Sequence, residues 1–259
     1  MSEPSQITPI PIPLRDFAIP DGYLLERRIL VSGAGDGIGR AVALAAARAG
    51  AAVILLGRTL KKLEDTANAI LDVPQAATPT VCHFDLLKAG LDDYWNLAKQ
   101  LSDAGDGLDG LVNNASILGG KTPIEQYSPA KWMEVMHVNV NGQFMLTQTC
   151  LPLLRRSKDA SIVFVSSNVG RKGRAYWGAY AASKFAVEGL MQTLADELAE
   201  NTAVRVCSLN PGRTRTAMRR AAYPAEDPTT LPTTQDVAPA FIYLLGAADR
   251  ALHGRALDA

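Results

Sequence analysis

The chain lacks any surplus of charge. Its 26 basic and 26 acidic side chains cancel, so neither a nucleic-acid backbone nor an anionic membrane surface is favoured as a partner. Cysteine is scarce: Cys82, Cys150 and Cys207 stand far apart and in odd number, without disulfide or metal-ligand spacing. Their apolar flanks read as buried, reduced thiols, which points to a reducing compartment, the cytoplasm. His83, His137 and His253 are scattered and match no ligand pattern, so no metal is expected. Long hydrophobic runs are missing too. The longest, Ala41 to Leu56, is interrupted by Arg48 and Gly50 and reads as a helix followed by a strand, too short to cross a bilayer. The first residues show no basic segment leading into an apolar one, the pattern of a secretory signal. No internal repeat stands out.

What is present suits one globular α/β domain. Pro4, Pro9, Pro11, Pro13 and Pro20 mark residues 1–24 as an extended proline-rich arm. Residues 25–259 follow as a single body, in a chain 47% hydrophobic. Short apolar or β-branched runs alternate there with longer helical patterns. Strands are expected at 28–32, 52–56, 80–84, 108–112, 161–166, 204–209 and 255–258. Helices are expected at 37–50, 60–71, 91–101, 129–155, 180–200 and 235–245. Such alternation builds right-handed strand–helix–strand units, and with them a doubly wound, Rossmann-type parallel sheet with helices on both faces. The stretches 129–155 and 180–200 are apolar on more than one face, so a homodimer or homotetramer is expected. Ala222 to Thr234, with three prolines, is the longest irregular segment after the arm, and loops of that length often form lids.

Two motifs carry chemistry. The first strand runs into Gly33-Ala-Gly35-Asp36-Gly37-Ile38-Gly39, which opens an alanine-rich helix. Glycines there allow a tight turn and close backbone approach, and the helix N-terminus offers N–H groups to a pyrophosphate. At the end of the second strand an acidic side chain would bind the adenosine ribose, and a nearby arginine would accommodate a 2′-phosphate. Gly57-Arg58 lacks the acid and supplies the arginine, which favours NADP(H), with NAD(H) the alternative. Asp36 would lie near that phosphate and oppose it. In the second motif, Gly178-Ala-Tyr180-Ala-Ala-Ser-Lys184, the i and i+4 positions share one helix face. The lysine's charge is expected to lower the phenol's pKa and fit it for proton transfer.

Together these pieces resemble the short-chain dehydrogenases/reductases, over nearly all of Arg28 to Asp258. The likeness rests on Gly33-x-x-x-Gly37-x-Gly39, Asp85-Leu86, Asn113-Asn114-Ala115-Ser116, Val138-Asn139-Val140-Asn141, Val165-Ser166-Ser167, Tyr180-x-x-x-Lys184 and Asn210-Pro211-Gly212, in family order. A closer likeness, to bacterial YciK-type oxidoreductases, is carried by residues 169–178 and by Thr214-Arg-Thr-Ala-Met-Arg219. The resemblance implies that Tyr180 gives or takes the substrate proton and that Ser167 hydrogen-bonds the substrate oxygen. It implies that Lys184 holds the nicotinamide ribose and that Asn139 orients a water beside it. Asp85 and Leu86 would hold the adenine, and Asn113 and Ala115 would line the adenosine side. Pro211, Gly212, Thr214 and Thr216 would shape the nicotinamide pocket. Ser116 departs from the family's usual glycine, which would tighten the turn. The implied partner is a small carbonyl compound or secondary alcohol. A non-catalytic NADP(H) sensor, or an epimerase or dehydratase on the same fold, are the alternatives. Arg171, Lys172 and Arg174 form a cationic run between Ser167 and Tyr180, readable as a solvated surface or as a seat for an anionic group.

Overall fold

The computed structural model describes residues 13–247 and 249–259. Strands and helices alternate as β1 (Arg28–Ser32), α1 (Gly37–Arg48), β2 (Ala52–Gly57), α2 (Leu60–Leu71), β3 (Thr80–His83), α3 (Leu91–Asp103), β4 (Gly110–Asn113), α4 (Pro129–Met136), α5 (Gly142–Leu154), β5 (Ser161–Val165), α6 (Gly178–Leu198), β6 (Arg205–Asn210), α7 (Ala217–Ala222), α8 (Thr234–Gly246) and β7 (Ala256–Asp258). The strands form one parallel sheet in the order β3-β2-β1-β4-β5-β6-β7. This is the doubly wound architecture expected from the alternation.

The strands are buried on both faces, which is why they read as continuous apolar runs. In β1, Ile29 and Val31 join one core with side chains of α1, α2 and α8, while Leu30 joins the other with α3, α5 and α6. Phe164 of β5 is the largest fully buried residue and belongs to the second core. Strand order sets the place of the site. From β1 the chain crosses to β2 on one side, whereas β4 pairs with β1 on the other, through Ile29↔Gly110. Loops that leave β1 and β4 diverge, and a crevice opens at the strands' carboxyl ends.

Three elements differ from the sequence reading. The helical stretch 129–155 is not one α-helix: His137–Asn141 winds as a π-helix between α4 and α5. Hydrophobic period cannot reveal a single wider turn, because it shifts the apolar face by only one residue. The segment after Asn210 is less irregular than its prolines suggest. Residues 217–222 form α7, Arg219 holds Glu226 through two bonds of 2.6 Å, and the Arg215 amide donates to the Pro232 carbonyl at 2.8 Å. Residues 1–12, half of the arm, lie outside the described residues. Its described part is not uniformly extended: Leu14–Asp16 makes a 3₁₀ turn, and Leu14 and Leu24 are buried in the first core. Among the described residues, no helix is long and apolar enough to cross a membrane.

Candidate active site

The crevice is a cleft of about 540 Å³. One end is built by the turn after β1. Gly33 and Gly37 adopt φ of +68° and +54°, where a side chain would be strained. Gly39 serves packing instead of lining the cleft. A Cβ there would sit 2.3 Å from the Gly33 carbonyl oxygen and 2.5 Å from Asn114 Nδ2. Asp36 caps α1, accepting from the Gly37 amide at 2.7 Å, and the Arg40 amide donates to the Asp36 carbonyl. A helix leaves its first four amides without helical partners. With Gly37 and Arg40 provided for, the Ile38 and Gly39 amides remain for a phosphate, which suits a dinucleotide's pyrophosphate.

Asp36 does not face the cleft as a bare charge. Lys62 Nζ lies 2.5 Å from its carboxylate, and this hydrogen bond, ahead of the Gly37 amide, holds the acid below its usual range. The opposition to a 2′-phosphate expected from Asp36 is therefore neutralised. Lys62 and the exposed Arg58 line the same end. No ion pair engages Arg58 among the described residues. Lys62 was not legible from sequence, since nothing local links it to Asp36. Asp85, Leu86 and Ala115 line the cleft as expected. Asn113 does not. It is fully buried beneath the wall, its Nδ2 donating to Thr147 Oγ1 at 2.8 Å, and its neighbour Asn114 lines the cleft instead. Ser116 also lines it, and its φ is not in the left-handed region, so serine fits there without backbone strain.

Tyr180 and Ser167 form the other wall, with Pro211, Gly212, Thr214 and Thr216. The Asn210 side chain organises this turn, accepting from the Gly212 amide at 3.1 Å and donating to Asp258 and Asn168 at 2.7 and 2.6 Å. Thr214 is buried and donates to the Pro211 carbonyl; Thr216 caps α7. Lys184 lies behind the wall, fully buried, with Nζ donating to the Val165 carbonyl at 2.7 Å and sitting 5.5 Å from the Tyr180 ring centroid. Gly170 permits this, because a Cβ there would meet Lys184 Cβ at 2.8 Å. Asn139 also sits behind the wall. Its side chain accepts from the Ile117 amide at 2.8 Å and donates to the Ile117 carbonyl and Ser183 Oγ. With both side-chain N–H groups engaged, its amide has no donor left over for a water.

The electrostatics correct one expectation. Burial pushes the Tyr180 phenol up to about 12, and the Ser167 hydroxyl offsets only part of this. The Lys184 charge is not among the causes that act on it. Burial instead lowers Lys184 itself to about 8, with Glu188 acting weakly the other way. Among the described residues, no group of three or more His, Cys, Asp or Glu side chains could hold a metal ion. His253 is structural, bonded to the Val206 amide and the Ala195 carbonyl. All three cysteines are free thiols.

Residues 27–227 match the short chain dehydrogenase family model. The chain is 48% identical over 236 residues to the uncharacterized oxidoreductase YciK of Escherichia coli K12, covering 91% of this chain and 92% of that one. It superposes with a TM-score of 0.90 on a short chain dehydrogenase from Salmonella enterica serovar Typhi, at 47% identity and covering 93% and 99% of the two chains. A short chain dehydrogenase from Escherichia coli CFT073, complexed with NADPH, gives a TM-score of 0.88 at 48% identity, covering 92% and 99%. The chain belongs to the short-chain dehydrogenase family of nicotinamide-dependent oxidoreductases.

Lys184 should leave a signature in stability. The unfolded chain keeps the lysine proton up to its ordinary 10.5, whereas the folded chain releases it at about 8. Between those values the unfolded state binds more protons, so this group makes folding more favourable as pH rises through the window. Denaturant unfolding of the wild type and Lys184→Met should show the wild type gaining on the variant from about pH 8 to 10.5, by at most about 3 kcal/mol. A constant difference across the window would mean that the buried ammonium is not depressed.

Proposed function

We propose that the protein transfers a hydride, with NADP(H), between the cofactor and a carbonyl or secondary alcohol substrate. One observation carries this reading. Ser167 and Tyr180 face one cleft whose far end is the glycine turn, and Lys184 is buried beneath the Tyr180 ring. The nicotinamide would supply the hydride when bound. The residues handle the oxygen. As negative charge develops on it, the Ser167 hydroxyl donates a hydrogen bond and the Tyr180 phenol delivers the proton. A phenol raised to about 12 is fully protonated at neutral pH, which suits the reductive direction. Lys184, fully buried with its Nζ held by Val165, would support the phenol from beneath and, with a water near Asn139, return a proton to it. The relatives support NADP over NAD: the Escherichia coli structure is complexed with NADPH and one from Shigella flexneri with NADP. Arg58 at the adenosine end supports it too, with Lys62 offsetting the opposing charge of Asp36.

The balanced charge, free thiols and absence of a spanning helix among the described residues fit a cytoplasmic enzyme. We also infer a homo-oligomer. Met133, Phe144 and Phe185 are exposed on α4, α5 and α6, a set of apolar side chains suited to cover by another copy. Sedimentation at micromolar concentration should show a species heavier than 27.6 kDa; a monomer alone would refute the inference.

Tyr180→Phe removes only a hydroxyl and its proton. Turnover with NADPH on a carbonyl identified by screening should fall at least about 10²-fold, with NADPH affinity changed only a few-fold. Retention of a tenth of wild-type turnover would remove Tyr180 from the acid–base role.

At the adenosine end, a 2′-phosphate would meet the Arg58 guanidinium in charge-assisted bonds, each worth about 1.5–3 kcal/mol. NADPH should therefore bind roughly ten-fold or more tighter than NADH. The double change Gly57→Asp with Arg58→Ile should reverse the order, since a carboxylate accepts from ribose hydroxyls and repels the phosphate. The new Cβ would lie 3.2 Å from Leu63 Cδ2, a side-chain tip that can yield. Fluorescence titration of both cofactors decides; an unchanged order in the double variant would show the strand end is not the determinant.

A further inference from the structure

Beyond Tyr180 the cleft wall changes character. Trp177 lies 5.7 Å from the Tyr180 ring, centroid to centroid, and Tyr223 lies 5.9 Å from Trp177. With Leu118, Met218 and Ala222 they form a separate apolar cluster that includes Tyr180 and none of the glycine turn. Leu118, Trp177, Met218, Arg219 and Ala222 line the cleft, and just beyond these lining residues Tyr223 gathers a group of cations. Three converge on the single Tyr223 ring: Arg219 at 3.9 Å, Lys121 at 4.2 Å and Arg174 at 5.8 Å from its centroid. Lys121 also lies 5.4 Å from the Trp177 ring.

One carboxylate answers these three charges. Glu226 pairs with Arg219 through two 2.6 Å bonds. Among the described residues, no carboxylate pairs with Lys121 or Arg174. Among the described residues Lys121 Nζ donates only to the Ala222 carbonyl, at 3.0 Å. The aromatic face attracts each cation, but the cations repel one another, and the cluster is left with unbalanced positive charge. An anionic group would relieve that repulsion. The cationic run noted in the sequence is thereby divided. Arg171 is engaged by Glu188, Asp258 and the Leu257 carbonyl, so it is structural, whereas Arg174 belongs to the cluster. The two loops that carry Lys121 and Arg174 are tied together, the Thr122 amide donating to the Tyr176 carbonyl at 3.1 Å. Tyr176 holds this position at φ 71°, a conformation that costs energy in a non-glycine residue.

We propose that the substrate is an amphipathic carbonyl compound with an apolar body and an anionic end. Its carbonyl meets Ser167 and Tyr180, its body lies along Trp177 and Tyr223, and its anionic end is held by Lys121 and Arg174. This specificity rests on the oxidoreductase reading given above. The cation cluster itself is an independent feature and is tested separately.

Two probes of equal chain length separate the terms: nonanal, and azelaic semialdehyde, in which a carboxylate replaces the terminal methyl. With NADPH, kcat/KM should favour azelaic semialdehyde by about ten-fold or more, as expected of hydrogen bonds to a charged group. The preference should reside in KM, shrink with added salt, and collapse toward unity in Lys121→Met with Arg174→Met. In parallel, calorimetry should show azelate, which cannot be reduced, binding the cofactor-loaded wild type and about ten-fold more weakly to the double variant. Reduction of neutral carbonyls with no preference for the carboxylate and no azelate binding would overturn this proposal and leave the oxidoreductase reading standing. Azelate binding lost in the double variant, with no carbonyl in a broad panel reduced, would uphold the anion seat and sink the oxidoreductase reading instead.

Discussion

Ser32 holds the crevice open. Where β1 and β4 part, their ladder ends, and main-chain groups at the strand tips must find other partners or bear the cost of burial without them. Ser32 is fully buried at the tip of β1. Its hydroxyl donates to the Val112 carbonyl at 3.1 Å and accepts from the Asn114 and Ala115 amides at 3.0 and 3.1 Å. Asn114 returns a bond to the Ser32 carbonyl at 2.9 Å. One small polar side chain thus stitches two diverging loops. The stitching continues outward, with Gln143 donating to the Ala115 carbonyl and Asn139 clasping both polar groups of Ile117. The wall beyond β4 is thus a hydrogen-bonded extension of the sheet, running from Ser32 through Asn114 and Ala115 to Ile117.

Against that wall the fold buries a cation. Lys184 has no exposed surface, and its ammonium, with three donors, shows one protein acceptor in Val165. Burying a charge with so little compensation is unfavourable, and the depressed lysine is the direct sign of it. The same environment raises the phenol above it. The two groups are thus both pushed toward neutrality by their shared burial.

The unequal legibility of the two ends has a physical origin. Recognition through the main chain leaves marks in sequence, because glycine takes the φ of Gly33 and Gly37 without strain and leaves room for the 2.3 Å approach at Gly39. Strands and helices were legible for a similar reason: burial on both faces of the sheet demands apolar runs of strand length. Tyr180 could be singled out from its spacing to Lys184, whereas Ser167 was placed through the family resemblance. Side chains that act across long loops leave no such trace. Lys62 reaches Asp36 from another helix, and Asn113 and Asn114 exchange the roles that identical residues cannot reveal. The π segment was hidden because it keeps helical composition while adding one residue to a turn.

The two ends are nevertheless mechanically joined. The turn at Pro211 and Gly212, pinned by Asn210 to the last strand, runs directly into α7. Met218 and Ala222 on that helix, with Tyr223 just beyond it, belong to the apolar cluster that contains Tyr180. The Arg219–Glu226 pair then folds the following loop back on α7 and seats Arg219 over Tyr223. A single short segment therefore shapes the nicotinamide side at its start and the substrate wall at its end. Its order comes from hydrophobic burial only in part, since Ala222 is the one buried residue of α7; the Thr216 cap, the ion pair and the stacking on Tyr223 supply the rest. These are polar and electrostatic contacts at a solvent-facing rim, where each is modest and salt-sensitive. The cofactor half of the cleft is thus held by the core of the fold, whereas the substrate half is held by contacts that a charged ligand is able to strengthen.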